Sequence, residues 1–142
     1  MTKLLIVITF FMQSVCLFSW TEWNQFRGET GQGHASSKLP IQWSRDSPNL
    51  LWRTEIDGTA WSSPILVNGH VVVTNSRPSI KDNSLELEVL ALDGDTGKIA
   101  WNRSLFSYPN MPRIHQKNSY ASPTPFFDGE SIFVHFGNLG TA

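Results

Sequence analysis

Two tryptophans in matching frames limit what this chain can become. Trp52 stands in Leu50-Leu51-Trp52-Arg53, and Trp101 stands in Ile99-Ala100-Trp101-Asn102-Arg103, 49 residues further on. A second echo accompanies the first. Trp61-Ser62-Ser63-Pro64-Ile65-Leu66-Val67-Asn68-Gly69-His70-Val71-Val72-Val73 returns as Tyr120-Ala121-Ser122-Pro123-Thr124-Pro125-Phe126-Phe127-Asp128-Gly129-Glu130-Ser131-Ile132-Phe133-Val134, with the Ser-Pro pair displaced by 59 residues. The surplus in the second spacing falls in the proline-containing stretch 106–118, where an insertion disturbs no strand. Self-similarity at such a period means one supersecondary unit used more than once.

The unit is made of strands. Residues 50–56, 61–67, 70–76, 85–92, 98–105 and 131–136 are short, rich in β-branched or aromatic side chains, and in several cases alternate between apolar and polar; each reads as a strand. Asp57-Gly58, Asn68-Gly69, Asp93-Gly94-Asp95-Thr96-Gly97 and Asp128-Gly129 stand between them, and such pairs accept the positive φ that tight hairpin turns require. Residues 77–84 and 106–118 read as loops, since Pro78, Pro109 and Pro112 oppose a paired strand there. A period of roughly 40 to 50 residues with about four antiparallel strands per unit marks the blades of a β-propeller. A sandwich also has short, regularly spaced strands, but it does not return a tryptophan to the same strand position.

The chain of 142 residues carries eleven basic and twelve acidic residues, a formal charge of −1, which leaves no electrostatic case for binding nucleic acid. Its single cysteine, Cys16, can form neither an intramolecular disulfide nor a thiolate metal site. Lys3 followed by the apolar run 4–18 reads as a secretory signal, too short to span a bilayer comfortably. Residues 1–19 are accordingly expected to leave as a signal peptide, and 20–142 to form the exported part, with no membrane span in the mature chain. Even a four-bladed ring at about 40 residues per blade needs roughly 160 residues. Residues 20–142 are therefore expected to hold about one full blade and parts of two others, the N-terminal portion of an incomplete propeller.

Ala91-Leu92-Asp93-Gly94-Asp95-Thr96-Gly97-Lys98-Ile99-Ala100-Trp101 fits the pattern A-x-D-x-x-T-G-K-x-x-W at all six fixed positions: Ala91, Asp93, Thr96, Gly97, Lys98 and Trp101. On these residues the chain resembles the PQQ-like (pyrroloquinoline quinone-like) repeat family, the blade unit of quinoprotein dehydrogenases and of the propeller lipoprotein of outer-membrane protein assembly. Trp23-Asn24-Gln25-Phe26-Arg27-Gly28 and the two Ser-Pro segments are similar to the opening of secreted PQQ-like propellers of planctomycete-type bacteria. The resemblance implies an all-β propeller of four-stranded antiparallel blades. It also implies that Asp93 caps the turn, Gly97 supplies an unusual backbone angle and Trp101 docks between adjacent blades.

Resemblance to a quinoprotein blade does not by itself make an enzyme. The dehydrogenases hold their quinone beside a calcium or lanthanide ion with an aspartate base, and some set adjacent cysteines against it. This chain has no adjacent cysteines and no acidic cluster that its sequence assigns to a metal. Asp93-Gly94-Asp95 is not a calcium loop of the EF-hand kind, because Ser104 occupies the twelfth position where glutamate is required. Gly28-Glu29-Thr30-Gly31-Gln32-Gly33 lacks the preceding strand and following helix of a dinucleotide loop. His34, His70, His115 and His135 show no metal-ligand spacing. His115, Lys117 and Asn118 enter an inner strand and are the candidates for facing the central channel. The expected function is an exported scaffold that binds other envelope proteins. The alternatives are a PQQ- and calcium-dependent alcohol or sugar dehydrogenase, and a ligand- or glycan-binding propeller domain.

Overall fold

The computed structural model describes residues 22–142. The signal segment expected at 1–19 lies outside the described residues. Among the described residues six strands occur in chain order: β1 (Ile65–Val67), β2 (His70–Ser79), β3 (Ser84–Asp93), β4 (Ile99–Tyr108), β5 (Phe126–Phe127) and β6 (Ile132–Phe133). The first four form one antiparallel sheet in the order β1-β2-β3-β4, and β5 and β6 form a separate hairpin. A single 3-10 turn, Gly137–Leu139, follows β6. The architecture is all-β: one four-stranded blade and a two-stranded piece of a second unit.

Local chemistry explains the meander. Asn68 and Gly69, with φ of 49° and 73°, close the two-residue turn between β1 and β2, because positive φ at both central positions matches the twist of the flanking strands. Along β3, Leu85, Leu87, Val89 and Ala91 point to one face, where they join Ile65, Val67 and Val72. That face is closed by Ala121, Phe127, Val134 and Phe136 of the second unit. The opposite face carries Asn75, Glu88, Leu90 and Leu92, all buried. Residues 52–59 lie over it, tied by the paired backbones of Thr59 and Ser76 (2.8 and 3.1 Å) and by the Asn75 amide, which donates to the Asp57 carbonyl at 2.8 Å.

Several sequence expectations need correction. Residues 50–56 are not a strand of any sheet: burial still alternates, with Trp52, Thr54 and Ile56 turned inward, but no neighbouring strand lies beside them among the described residues. The strand expected at 61–67 is shortened to Ile65–Val67, since Ser62 has instead turned its hydroxyl to accept the Thr74 N–H at 3.2 Å. The loop expected at 77–84 is the far end of the β2–β3 hairpin, with Pro78 opposite Leu85. Pro78 is tolerated there because β1 pairs only with residues 70–72, so β2 is an edge at that point. Likewise β4 continues through Leu105–Tyr108 into the stretch expected to be loop, with bulges opposite Leu87/Glu88 and Ala91/Leu92 absorbing the irregular register. The strand expected at 131–136 retains only Ile132–Phe133 and one bridge from His135 to Thr141. Asp57-Gly58 is no hairpin corner; it is where the overlying segment meets Ser76.

Candidate functional site

The motif turn is closed by its own side chains. One oxygen of Asp93 accepts the Thr96 hydroxyl at 2.7 Å and the Thr96 N–H at 2.8 Å, and the Asp93 N–H donates to the Lys98 carbonyl at 2.8 Å. These donors, the Thr96 hydroxyl foremost, hold the Asp93 carboxyl below the ordinary aspartate value of 3.8. Gly94 donates its N–H to Gly69 O at 2.8 Å, so the turn is also tied to the β1–β2 corner. Gly97 has a φ of 69°, and its N–H returns to the Asp93 carbonyl at 2.8 Å. Ala91 is fully buried in the face below, while Lys98 is exposed and contributes its backbone.

The aromatic side chain seated on this turn is Trp52. Its Nε1–H donates to the Gly94 carbonyl at 2.7 Å, and the Thr54 hydroxyl donates to the Gly97 carbonyl at 2.5 Å. A Cβ on Gly97 would run into the Trp52 ring, so the indole occupies the space that the glycine leaves. Trp101 stands elsewhere. It lies opposite Ala91 in the β3–β4 ladder, half-buried against the core, and lines an open cleft of about 320 Å3 with Val89, Arg103, Leu105, Ile132, Val134 and Ala142.

His115, Lys117 and Asn118 are all exposed in the segment leading to the second unit. The His115 carbonyl accepts the Asn118 N–H at 2.9 Å, and its Nδ1 accepts the Lys117 N–H at 3.1 Å. Asn118 Oδ1 accepts the Ser122 hydroxyl at 2.7 Å and the Ser119 N–H at 3.0 Å, so this residue organises a turn. It also borders a small cleft of about 130 Å3 formed with Tyr120, Pro123 and residues 136–139. The three residues share a loop but do not converge on one point by any hydrogen bond among their side chains.

Sequence reasoning missed a buried polar cluster on the second face of the blade. Glu88 is 2% exposed, and its Oε1 accepts Arg77 Nε at 2.7 Å and Arg77 Nη2 at 2.5 Å. Its Oε2 accepts the Asn75 amide at 3.2 Å, the same amide that holds the Asp57 carbonyl. A buried carboxylate survives only when its charge and lone pairs are met in this way. The legible signal was Leu85-Glu86-Leu87-Glu88: acids alternating with leucines in a strand whose two faces are both covered. Glu86, by contrast, accepts the Ser104 and Ser107 hydroxyls at an exposed position, and these donors, Ser104 first, lower its pKa.

A quinone held beside a divalent cation needs carboxylates that converge. Here Asp93 is turned onto Thr96, Glu88 onto Arg77, Glu86 onto two serines, and Asp128 onto the N–H groups of Glu130 and Ser131 in its own hairpin. Among the described residues no three His, Cys, Asp or Glu side chains are grouped to hold a metal ion. Among the described residues, then, no carboxylates converge on one point. Leu39, Ile41, Trp43 and Leu51, which precede the blade in the chain, are each more than 60% exposed.

The family model described as outer membrane protein assembly factor BamB matches residues 35–141, which include the whole blade and the second unit. Among curated proteins no relative matches the chain.

Proposed function

Because this chain belongs to the PQQ-like repeat family to which the BamB assembly-factor model applies, we propose that it is an exported propeller scaffold that docks other proteins of the cell envelope. The family match over residues 35–141 carries the reading. Two features of the molecule support it. Asp93, Glu86 and Glu88 of the blade are each engaged by neighbouring side chains, respectively a turn threonine, two strand serines and an arginine, which suits a scaffold better than a reaction centre. The stretch 39–51 displays Leu39, Ile41, Trp43 and Leu51 to solvent, and exposed apolar side chains gathered in one segment mark surfaces that meet another protein. A leader at residues 1–19 takes the chain out of the cytoplasm in this reading.

The test is photo-cross-linking in cells of the native host, with a photoreactive residue at Trp43 and, as control, at Ile80, which is 92% exposed at the β2–β3 tip. A discrete envelope-protein adduct at position 43, and none at position 80, is the expected result. Equal or absent labelling at the two positions would overturn the docking reading, and dye-linked oxidation of alcohols or sugars after loading with quinone and calcium would replace it with a dehydrogenase.

A further inference from the structure

The first strands of the two sheets, β1 and β5, are both held by one dipeptide near the start of the described chain. β1 has three residues and β5 two, and each has a single strand partner. The free edge of such a strand exposes N–H and C=O groups that need partners. On β1, the Trp23 N–H donates to Leu66 O at 2.8 Å and the Leu66 N–H donates to Trp23 O at 3.0 Å. The next residue serves the other unit: the Phe127 N–H donates to Asn24 O at 2.9 Å, and the Asn24 side-chain amide reaches Phe127 O at 3.4 Å. Leu66 and Phe127 are 61 residues apart in the chain, yet adjacent residues satisfy both.

The dipeptide is itself held from behind. Gly28 donates its N–H to Gln25 O at 3.0 Å, turning the chain back beneath the Trp23 indole. Gly28 has a φ of +73°, and a Cβ there would stand 2.8 Å from the Trp23 ring. The ring thus rests on a residue that must lack a side chain, and the position of the ring sets the position of the Trp23 and Asn24 backbones.

We propose that Trp23–Gly28 is a clasp that couples the two units, so that the β1 edge and the β5 edge open together. With both edges occupied, an incoming strand of a partner protein cannot be added to either, and docking falls to other surfaces. The clasp rests on these hydrogen bonds and on the Gly28–Trp23 contact, and stands whether or not the scaffold reading holds.

Amide hydrogen exchange on the full chain tests it. Gly28→Val is compared with Gly31→Val, which has nearly the same φ of +68° but nothing within 4 Å of a built Cβ. Gly28→Val is expected to speed exchange at the Leu66 and Phe127 amides together, by about tenfold or more, while the β2–β3 ladder keeps its protection. Gly31→Val is expected to leave both amides protected. Equal effects of the two variants, or acceleration of only one of the two amides, would overturn the coupling. Should Gly28→Val fail to fold, Trp23→Ala removes the ring without straining the backbone and is read at the same two amides; unchanged protection there would sink the clasp.

Discussion

Trp52 and Trp101 stand in matching sequence frames 49 residues apart, and the fold puts them to different uses. Trp52 lies on an extended segment with no strand partner, yet its indole is bonded to Gly94 O at 2.7 Å and packed over Gly97. Trp101 lies in β4, an edge strand paired with β3 on one side, and its side chain borders an open cleft. The Trp52 ring is thus seated on a turn, whereas the Trp101 ring rests half-buried on the core with one side toward the cleft. A repeat therefore copies the residue and its backbone direction, while the partner that buries the ring comes from whatever element is stacked beside it.

The harshest way to break this contrast is Gly97→Val, which both strains a backbone at φ 69° and pushes the Trp52 ring from its seat. A loss of about 3 kcal/mol or more is expected in chemical denaturation. If Trp52→Ala is already present, Gly97→Val should cost clearly less, because the clash has no target. Trp52→Ala alone is expected to cost about 3 kcal/mol, combining lost packing with an unpaired Gly94 carbonyl. Trp101→Ala should cost less, about 2 kcal/mol, since its cleft is already open to solvent. A larger loss at Trp101 than at Trp52 would reverse the comparison.

A second test concerns how firmly residues 52–59 are fastened. Arg77→Met leaves Glu88, at 2% exposure, without its cation, and a loss of about 3 kcal/mol is expected. Proteolysis should then open the chain between residues 52 and 59 first, because Asn75 bridges Glu88 to Asp57. Intact protection of that segment would detach the ion pair from the docking of Trp52.

The smallest effect is the acid limb of the stability curve. The Thr96 donors depress the folded-state pKa of Asp93 below its ordinary 3.8, so the carboxylate contributes stability above that value and loses it as pH falls through the folded pKa. Asp93→Asn should flatten the melting temperature against pH below about pH 4, with little change in slope at neutral pH. An unchanged acid limb would mean that Thr96 holds the turn under Trp52 without help from the charge.

Much of the blade was legible before any coordinates. Alternation in 85–92, the Asn68-Gly69 corner and the Asp93–Gly97 turn are local features, decided by side-chain period and by residues that accept positive φ. Strand ends were less legible. Pro78 was read as a breaker because its missing N–H forbids a ladder bond, but nothing in the sequence reveals that β1 stops short and leaves β2 an edge there. The candidate site was legible as a motif and illegible as an arrangement: Asp93, Thr96 and Gly97 stand as a local turn, whereas the ring seated on them belongs to Trp52, 45 residues before Gly97. His115, Lys117 and Asn118 were singled out for their chemistry, and the bonded side chains among them, His115 and Asn118, serve their own turn.

By itself the sequence determined the repeat, the antiparallel meander and the family to which they belong, because period, turn chemistry and an eleven-residue motif act over short range. Tertiary structure alone decided which tryptophan meets the motif turn, that Glu88 lies buried on Arg77, and that Trp23 and Asn24 bind the β1 and β5 edges. Each of these joins residues distant in the chain, where the outcome depends on which faces and edges are left unsatisfied once the strands have formed.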